Sequence, residues 1–188
     1  VGGEVARLLQ GERAALRQLS PEKVANIANP PAPAPARSAG KPVVQPAVIR
    51  FDPDWLAAQP PAKGGPEWSC LTKALYHEAR GESLQGRVAV AEVILNRVDA
   101  PNYPNSVCAV VNQGSHRARG CQFSFTCNGV SEHMAERQAV EEAGKIARLM
   151  LDGAPRALTK GATHFHTRAV RPDWSRRFPQ TAAIGAHL

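Results

Sequence analysis

The sequence has 188 residues, 43% hydrophobic and 21% charged, which is enough for one ordinary domain with an appendage, and most of it should be globular. No apolar run approaches the roughly 20 residues of a membrane-spanning helix, so we expect a soluble chain without a transmembrane segment. Lys and Arg outnumber Asp and Glu by 23 to 16, and the net charge of +7 favours polyanionic partners without choosing among them. The sequence begins without a methionine or a signal peptide, as expected of a mature or trimmed form.

The composition changes near residue 67. For residues 1–66 we predict a short amphipathic helix at Glu4–Leu19 and then a disordered, extended Pro/Ala-rich linker, because ten of the 16 prolines lie between Pro30 and Pro66. A protein partner on the N-terminal helix is conceivable, and the sequence does not identify one. Residues 67–188 hold all four cysteines and eight of the ten aromatic residues, so we expect one compact domain there that carries the chemistry.

The cysteines predict two disulfides. Cys70, Cys108, Cys121 and Cys127 lack the C-x-x-C spacing of structural zinc sites, and an even number of cysteines with irregular spacing indicates an oxidising compartment. The alternative is four free, buried thiols. Local spacing favours Cys70–Cys108 and Cys121–Cys127, although a straight strand would hold the latter two about 20 Å apart, beyond disulfide reach, so their segment would have to bend sharply.

A glutamate lies on the apolar face of the first predicted helix of this domain. Ser69 is the expected N-cap and Gly81 the expected end of that helix, and Glu78 falls on its apolar stripe. Burial disfavours the charged carboxylate and raises its pKa, which suits a general acid near neutral pH. The alternative is a structural ion pair with Arg80 or Arg87. The stripe itself consists of Leu71, Ala74, Leu75 and Ala79.

A second carboxylate follows four residues later. Glu82 could complete a two-carboxylate glycosidase site, since this spacing can satisfy either the retaining or the inverting separation. Its alternative role is a favourable charge at the start of the next helix. That helix, predicted at Leu84–Val98, is apolar around much of its circumference and should be the buried central helix of a small α-rich domain. Glu92 within it is either a satisfied core carboxylate or a surface residue.

Polar and aromatic residues alternate from Gln122 to Thr126. Gln122 and Ser124 would lie on one face of a strand or hairpin arm, with Phe123 and Phe125 on the other. The polar face could bind sugar hydroxyls and acetamides, and either aromatic ring could lie against a sugar. The alternative places both phenylalanines in the core.

Two histidines and a tryptophan complete the candidate site. His164 and His166 should project from one face of a further strand, either to hydrogen-bond a saccharide or a peptide carboxylate or to hold a metal ion. Trp174 is a candidate sugar platform or a lid on the core. A last helix, capped by Ser131 and ending near Leu151, has a narrow apolar stripe and is expected to be structural.

Five segments together resemble the cell-wall hydrolase family of the spore-cortex-lytic enzyme (SleB) type. They follow one another in the family's order: Tyr76–Glu82, Gly86–Val98, Tyr103–Cys108, Cys121–Phe125 and Ala162–His166. The resemblance covers Cys70 to His187 and implies a lysozyme-like fold with a peptidoglycan groove, in which Glu78 is the catalytic acid. With the predicted hairpin, the fold class is mostly α (α+β) with a small β-hairpin region. The cysteines and histidines depart from the spore pattern, which favours a periplasmic or secreted protein of the cell envelope.

The resemblance implies an enzyme that cleaves the peptidoglycan glycan strand between N-acetylmuramic acid and N-acetylglucosamine. A lytic transglycosylase using one glutamate acid/base, and no cofactor, would leave 1,6-anhydro ends. Three alternatives stay open: a muramidase with Glu82 as second carboxylate, a non-catalytic glycan-binding module, and a zinc amidase built on His164 and His166. The charges form no dense nucleic-acid stripe, so the expected partner is peptidoglycan. Residues expected to contact it are Tyr76, Gln122, Phe123, Ser124, His164, His166 and Trp174.

Overall fold

Helices form the regular structure of the described part of the chain. The computed structural model describes residues 48–116, 120–129 and 132–188. The predicted helix at Glu4–Leu19 lies outside these ranges. The described helices are, in chain order, α1 (Pro53–Ala57), α2 (Pro66–Ala79), α3 (Leu84–Asp99), α4 (Val107–Val111) and α5 (Arg137–Leu151), with short 3₁₀ helices at Ser124–Thr126 and Asp173–Arg176.

The core lies where α2, α3 and α5 meet. Helix α2 contacts α3, α4 and α5, and α3 contacts α4 and α5 in turn. The apolar stripe of α2 is fully buried, as its spacing predicts, and it packs against the buried faces of α3 and α5. The mostly helical fold is therefore confirmed. Within the described ranges, no helix combines the length and the apolar character needed to cross a membrane.

The helix ends follow local chemistry. Helix α2 begins at Pro66 rather than near Ser69, because a proline suits the first helical turn, where no intrahelical N–H bond is needed. Helix α3 agrees with its prediction to within one residue, and the Ser83 hydroxyl accepts a hydrogen bond from the Gly86 N–H at 3.2 Å. These bounds place Glu78 in the last turn of α2, a few residues before α3 begins.

Helix α5 begins at Arg137, later than predicted, and its proposed cap Ser131 lies outside the described residues. The segment before it runs along α2 instead of coiling. Lys73 pairs with Glu132 at 2.6 Å, and the Tyr76 hydroxyl accepts a hydrogen bond from the Glu136 N–H at 3.2 Å. Because these contacts satisfy the segment's polar groups against α2, the first helical turns expected there do not form.

The predicted linker contributes to the core at its C-terminal end. Residues Pro53–Ala57 form α1. Asp52 is its N-cap, because the Asp52 carboxylate accepts a hydrogen bond from the Asp54 N–H at 3.0 Å. Leu56 is buried in the core, and Lys145 of α5 donates to the Ala57 carbonyl at 2.9 Å. The expectation of linker throughout residues 1–66 is therefore wrong for this stretch, since a single apolar turn suffices to dock it.

The four cysteines form two disulfides, Cys70–Cys108 and Cys121–Cys127, with Cα atoms 5.2 and 6.3 Å apart. The first links α2 to α4. Glu67 reinforces that link, because its carboxylate accepts from the Val107 and Cys108 N–H groups at the start of α4, at 2.5 and 3.3 Å. The two helices are thus joined both covalently and by a helix-capping carboxylate.

The expected β-hairpin at Gln122–Thr126 is wrong. A 3₁₀ turn at Ser124–Thr126 replaces it and supplies the sharp bend that brings Cys121 and Cys127 together. The alternation of burial nevertheless holds, because Phe123 and Phe125 are buried while Gln122 and Ser124 are exposed. A tight turn of about three residues, with one side against the core, can produce the same exposure pattern as a strand.

The strand predicted at His164–His166 is also absent from the described structure, which contains only isolated bridges there, Thr167 with His187 and Ile184 with His187. Residues 166–168 run antiparallel to the C-terminal residues, and His166 and Leu188 exchange backbone hydrogen bonds of 3.2 and 2.9 Å. The pairing is too short to count as a sheet, and a turn at Gly185 ends it.

Candidate active site

Glu78 is half-buried in the last turn of α2. Burial raises the pKa of its carboxyl group, and no neighbouring charge offsets that effect. The carboxyl group forms no hydrogen bond or ion pair with any described residue. A carboxylic acid in this setting keeps its proton to higher pH than an exposed one and can donate it.

The two arginines that could have neutralised Glu78 are paired elsewhere. Arg80 binds Glu136 at 2.9 Å, and Arg87 pairs with Glu142. Both partners lie in or just before α5. The ion-pair alternative for Glu78 therefore does not apply to this structure.

Glu82 holds the C-terminal segment in place. One carboxylate oxygen accepts from the Ala186 N–H at 3.4 Å, and the other lies 3.8 Å from Nδ1 of His187. Gly185 has a φ of 59°, and a Cβ atom there would collide with the Glu82 carboxylate. Glycine is therefore required twice at this position, by its left-handed backbone and by the closeness of Glu82.

A cavity of about 410 Å³ opens beside this segment; we call it the C-terminal hollow. Ala89, Val90 and Val93 of α3 form its floor. Its walls come from the segments 159–166, 171–182 and 184–188, and include His164, His166, Trp174, Phe178 and His187. Three of the residues predicted to bind substrate, the two histidines and Trp174, thus lie together, whereas Glu78 does not belong to this lining.

The two histidines face Trp174. Ring centroids lie 5.0 Å apart for His164 and Trp174 and 5.3 Å apart for His166 and Trp174, whereas Phe165 turns the other way, toward His187. The predicted shared face is therefore present without a strand. Burial, and then the charge of Arg97, lower the pKa of His164.

Gln122 is joined to the same network by a buried arginine. Arg97 of α3 is 2% exposed; its Nε donates to the Thr163 carbonyl at 2.6 Å, and its terminal nitrogens lie 3.1 and 3.3 Å from the Gln122 carboxamide. Because both terminal nitrogens of Arg97 are hydrogen-bond donors, the carboxamide atom of Gln122 that faces them is the oxygen. The amide NH₂ group of Gln122 then faces away from Arg97 and is available to a ligand.

The remaining predicted site residues differ in exposure. Tyr76 is 4% exposed and Phe123 is 2% exposed, so both pack within the protein, and the Phe123 ring lies under the Arg97 guanidinium with 5.6 Å from its carbon to the ring centroid. Ser124 is exposed on the 3₁₀ turn. Glu92, at 0% exposure, is a satisfied core carboxylate that accepts from Leu158 and Thr159.

His164 and His166 form hydrogen bonds within the protein and belong to no group of potential metal ligands in the described ranges. Among residues 48–116, 120–129 and 132–188, no three His, Cys, Asp or Glu side chains are grouped so that they could hold an ion. His164 lies between the Thr163 and Tyr103 hydroxyls, at 3.0 and 3.3 Å, and Nδ1 of His166 donates to the Thr167 carbonyl at 2.9 Å. These contacts orient both rings.

The site includes four residues that were not predicted from the sequence: Arg97, Tyr103, Phe178 and His187. Arg97 had a readable signal, because it follows Val93 and Ile94 at helical spacing and so carries a charge on an apolar helix face, as Glu78 does. Phe178 is 51% exposed and stacks on His164, with 4.9 Å between ring centroids. It and His187 lie on irregular segments, for which periodicity predicts no contacts.

A helical framework that carries a half-buried carboxyl group and a partly aromatic hollow of ligand size has the features expected of an enzyme. Residues 81–188, more than half of the chain, match the family described as Cell Wall Hydrolase. The chain belongs to the cell wall hydrolase family. Glu78 lies just before the matched residues.

Individual relatives agree with this membership. The chain is similar to a spore cortex-lytic enzyme of Bacillus cereus, 51% identical over 118 residues (63% of this chain and 41% of that protein), and to one of Bacillus subtilis, 33% identical over 119 residues (63% and 35%). It spans about two fifths or less of these relatives. The catalytic domain of the germination-specific lytic transglycosylase SleB from Bacillus anthracis is similar in structure, with a TM-score of 0.51 and 26% identity over 69% of this chain and 97% of that one.

Proposed function

We propose that this protein cleaves the glycan strand of peptidoglycan between N-acetylmuramic acid and N-acetylglucosamine, as a lytic transglycosylase with Glu78 as its one acid/base. The observation that carries the proposal is the unpaired, half-buried carboxyl group of Glu78, whose pKa burial raises. Membership in the cell wall hydrolase family and the similarity to a lytic transglycosylase domain support it.

In the first step, protonated Glu78 donates its proton to the glycosidic oxygen. The bond from the muramic acid C1 to that oxygen then breaks, positive charge develops on the sugar ring, and the N-acetylglucosamine chain leaves with a hydroxyl group. The half-buried setting of Glu78 favours the protonated form needed at the start.

In the second step, the Glu78 carboxylate takes a proton from the 6-hydroxyl of the same muramic acid. The 6-oxygen bonds to C1 and closes a 1,6-anhydro ring, so no water is consumed and Glu78 is again protonated. The engagement of Glu82 supports this route over a muramidase: its carboxylate binds the Ala186 N–H and lies near His187, rather than being free to act on a water.

The surroundings fit a cell-envelope substrate. The two disulfides suit an oxidising compartment, and the net charge of +7 suits an anionic polymer, so we propose a periplasmic or secreted location. The amide NH₂ group of Gln122 and the Ser124 hydroxyl are the proposed contacts to sugar acetamide and hydroxyl groups.

The test is digestion of purified sacculi, with mass spectrometry of the released muropeptides. Transglycosylation gives anhydro-ended fragments, one water lighter than the hydrolytic ones, and Glu78→Gln should abolish their release. Glu92→Gln is unsuitable as a control because that carboxylate is buried. Glu141→Gln, a change on the exposed face of α5, should keep activity. Hydrolytic ends would support the muramidase, and full activity of Glu78→Gln would overturn the mechanism.

A further inference from the structure

We propose that the C-terminal hollow binds the peptide stem of peptidoglycan through its carboxylates, so that the enzyme prefers glycan strands that carry peptides. This inference rests on the proposed function. The Glu78 carboxyl group does not line this hollow. The proposed ligand of the hollow is the peptide, which differs chemically from the sugar chain.

The charge of the lining carries the proposal. Lys160 and Arg171 line the hollow, and among the described residues no Asp or Glu belongs to its lining. Arg171 is exposed and forms no ion pair with a described residue. An unbalanced positive lining of this kind attracts anions, and a guanidinium is well shaped to bind a carboxylate through two parallel hydrogen bonds.

The size and the apolar surface of the hollow identify a peptide rather than a lone carboxylate. Its volume of about 410 Å³ falls in the range of small-ligand sites, about 300–1,000 Å³, and far exceeds what one carboxylate fills. Val93, Trp174 and Ile184 provide apolar surface on which alanine-like side chains could pack. A short peptide with several carboxylates and small apolar side chains matches both the positive charge and the apolar surface of the lining.

The hollow also lies within reach of a substrate held at Glu78. Glu82, which follows Glu78 by four residues, lies 3.8 Å from His187, and His187 belongs to the lining of the hollow. Four residues of chain span at most about 14 Å even when fully extended, so the end of the hollow at His187 lies near the end of α2. A peptide attached to the muramic acid at Glu78 could extend into it.

The experiment compares two substrates: peptide-bearing glycan strands and the same strands after an amidase has removed their peptides. We expect the KM for peptide-bearing strands to be about tenfold lower than the KM for bare strands, which is the gain in affinity expected from one charge-assisted contact. Arg171→Glu should remove this difference and leave the KM for bare strands unchanged. Arg168→Glu is the matched control, because Arg168 is also an exposed arginine, lies three residues before Arg171 and does not line the hollow.

A binding measurement separates this inference from the proposed function. A free stem tripeptide, titrated into the Glu78→Gln protein and followed by NMR, should shift resonances of residues 171–178, and Arg171→Glu should abolish those shifts. Equal KM values for the two strands, or equal effects of the Arg171 and Arg168 variants, would overturn the inference while leaving the glycosidase intact. If neither strand is cleaved, the proposed function fails, and the tripeptide titration still decides whether the hollow binds a stem.

Discussion

At the scale of single residues, Glu78 and Arg97 are ionisable side chains that are at least half-buried and pair with no opposite charge in the part of the chain that the structure describes. Glu78 is half-buried with no hydrogen bond from the described protein, and Arg97 is buried with only neutral acceptors, the Thr163 carbonyl and the Gln122 carboxamide. Burying an ionisable group costs free energy unless hydrogen bonds compensate, as the three to the buried Glu92 carboxylate do. Because the Glu78 carboxyl group has no such bonds, we expect it to be kept for catalysis.

The pKa of Glu78 predicts a stability change of definite sign. Its folded-state pKa is raised, so the folded protein binds more protons than the unfolded chain between the ordinary glutamate pKa and the raised one, and stability falls as pH rises through that window. Glu78→Gln should therefore unfold at higher urea concentration than the parent at neutral pH, while the two midpoints converge below about pH 4, near the ordinary glutamate pKa. Activity of the parent should fall on the alkaline side of the raised pKa. A variant that is less stable at neutral pH would contradict this assignment.

Gln122 gives a second prediction at this scale. Gln122→Glu places a carboxylate against the buried Arg97 and removes the outward NH₂ donor in one isosteric change. We expect unfolding to require about 1 kcal/mol more, because a charge-assisted hydrogen bond replaces a neutral acceptor, and the KM for glycan strands to rise about tenfold. Urea titration and turnover assays measure the two effects.

The control for that variant is Gln122→Leu, which removes the oxygen as well as the donor. It should lower stability, because the Arg97 guanidinium loses an acceptor, and should raise KM to a similar extent. The two variants thus move stability in opposite directions and binding in the same direction. If Gln122→Glu kept the parent KM, Gln122 would have no role in binding.

At this scale the sequence predicts residues that lie on periodic elements and fails for those on turns. Glu78 is predicted because helical spacing alone places it among Leu71 and Ala74. The same spacing places Arg97 on an apolar face, where it could have been recognised. Phe178 could not be, because its stacking on His164 depends on how residues 171–182 fold back, and no periodic pattern encodes that path.

At the scale of elements, the Glu82 carboxylate helps to hold the C-terminal segment, together with the backbone hydrogen bonds between His166 and Leu188. Glu82 contacts Ala186 and His187, and Gly185 leaves room for it. Gly185→Ala should therefore lose about 1–2 kcal/mol for its left-handed backbone and in addition displace the Glu82 side chain. Gly153→Ala is the matched control, since that glycine is also left-handed but has open space around it.

We expect both glycine variants to unfold at lower urea concentration, with the larger loss for Gly185→Ala. Only Gly185→Ala should also lose affinity for peptide-bearing strands, because the C-terminal segment forms a wall of the hollow. Equal stability losses for the two variants would mean that the contact between Glu82 and the segment contributes nothing.

We expect the two disulfides to differ in what they contribute: one mainly to stability and the other mainly to substrate binding. In the chain-entropy description, the Cys70–Cys108 link, which spans 38 residues, contributes about 4 kcal/mol, and Cys121–Cys127, which spans six, about 2 kcal/mol. Replacing Cys70 and Cys108 by alanine should mainly lower the unfolding free energy. The alanine pair at 121 and 127 should mainly raise KM, because it releases the turn that displays Gln122 and Ser124.

Denaturant titration and turnover assays of both double variants test that separation. A pair at 121 and 127 that lost stability but kept its KM would show that the turn does not need its disulfide to present the two polar residues. A reducing agent applied to the parent should reproduce the sum of the two stability losses if both links break.

Helices could be predicted from the sequence where apolar residues at helical spacing bury one face of the helix. Helices α2 and α3 follow from apolar spacing, and their caps fix the ends to within a few residues. The 3₁₀ turn at Ser124–Thr126 was not predictable, because it buries Phe123 and Phe125 with the same period of two as the strand that the sequence indicates. Helix α1 was hidden for a different reason: its prolines indicate a linker, and only docking against α5 makes its one turn stable.

At the scale of the whole molecule, the net charge of +7 should act on a polyanionic substrate over distance rather than through one contact. Raising NaCl from about 0.05 to 0.5 M shortens the Debye length from about 14 to 4 Å, so we expect the KM for sacculi to rise several-fold while kcat stays nearly constant. A neutral N-acetylglucosamine–N-acetylmuramic acid oligomer with its carboxyl groups amidated is the control, and its KM should be insensitive to salt. If Arg171 binds the stem directly as well as adding to the net positive charge, the KM of the Arg171→Glu variant for sacculi should depend less on salt than that of the Arg168→Glu variant. A KM for sacculi that does not change with salt would mean that the positive charge serves solubility and not substrate capture.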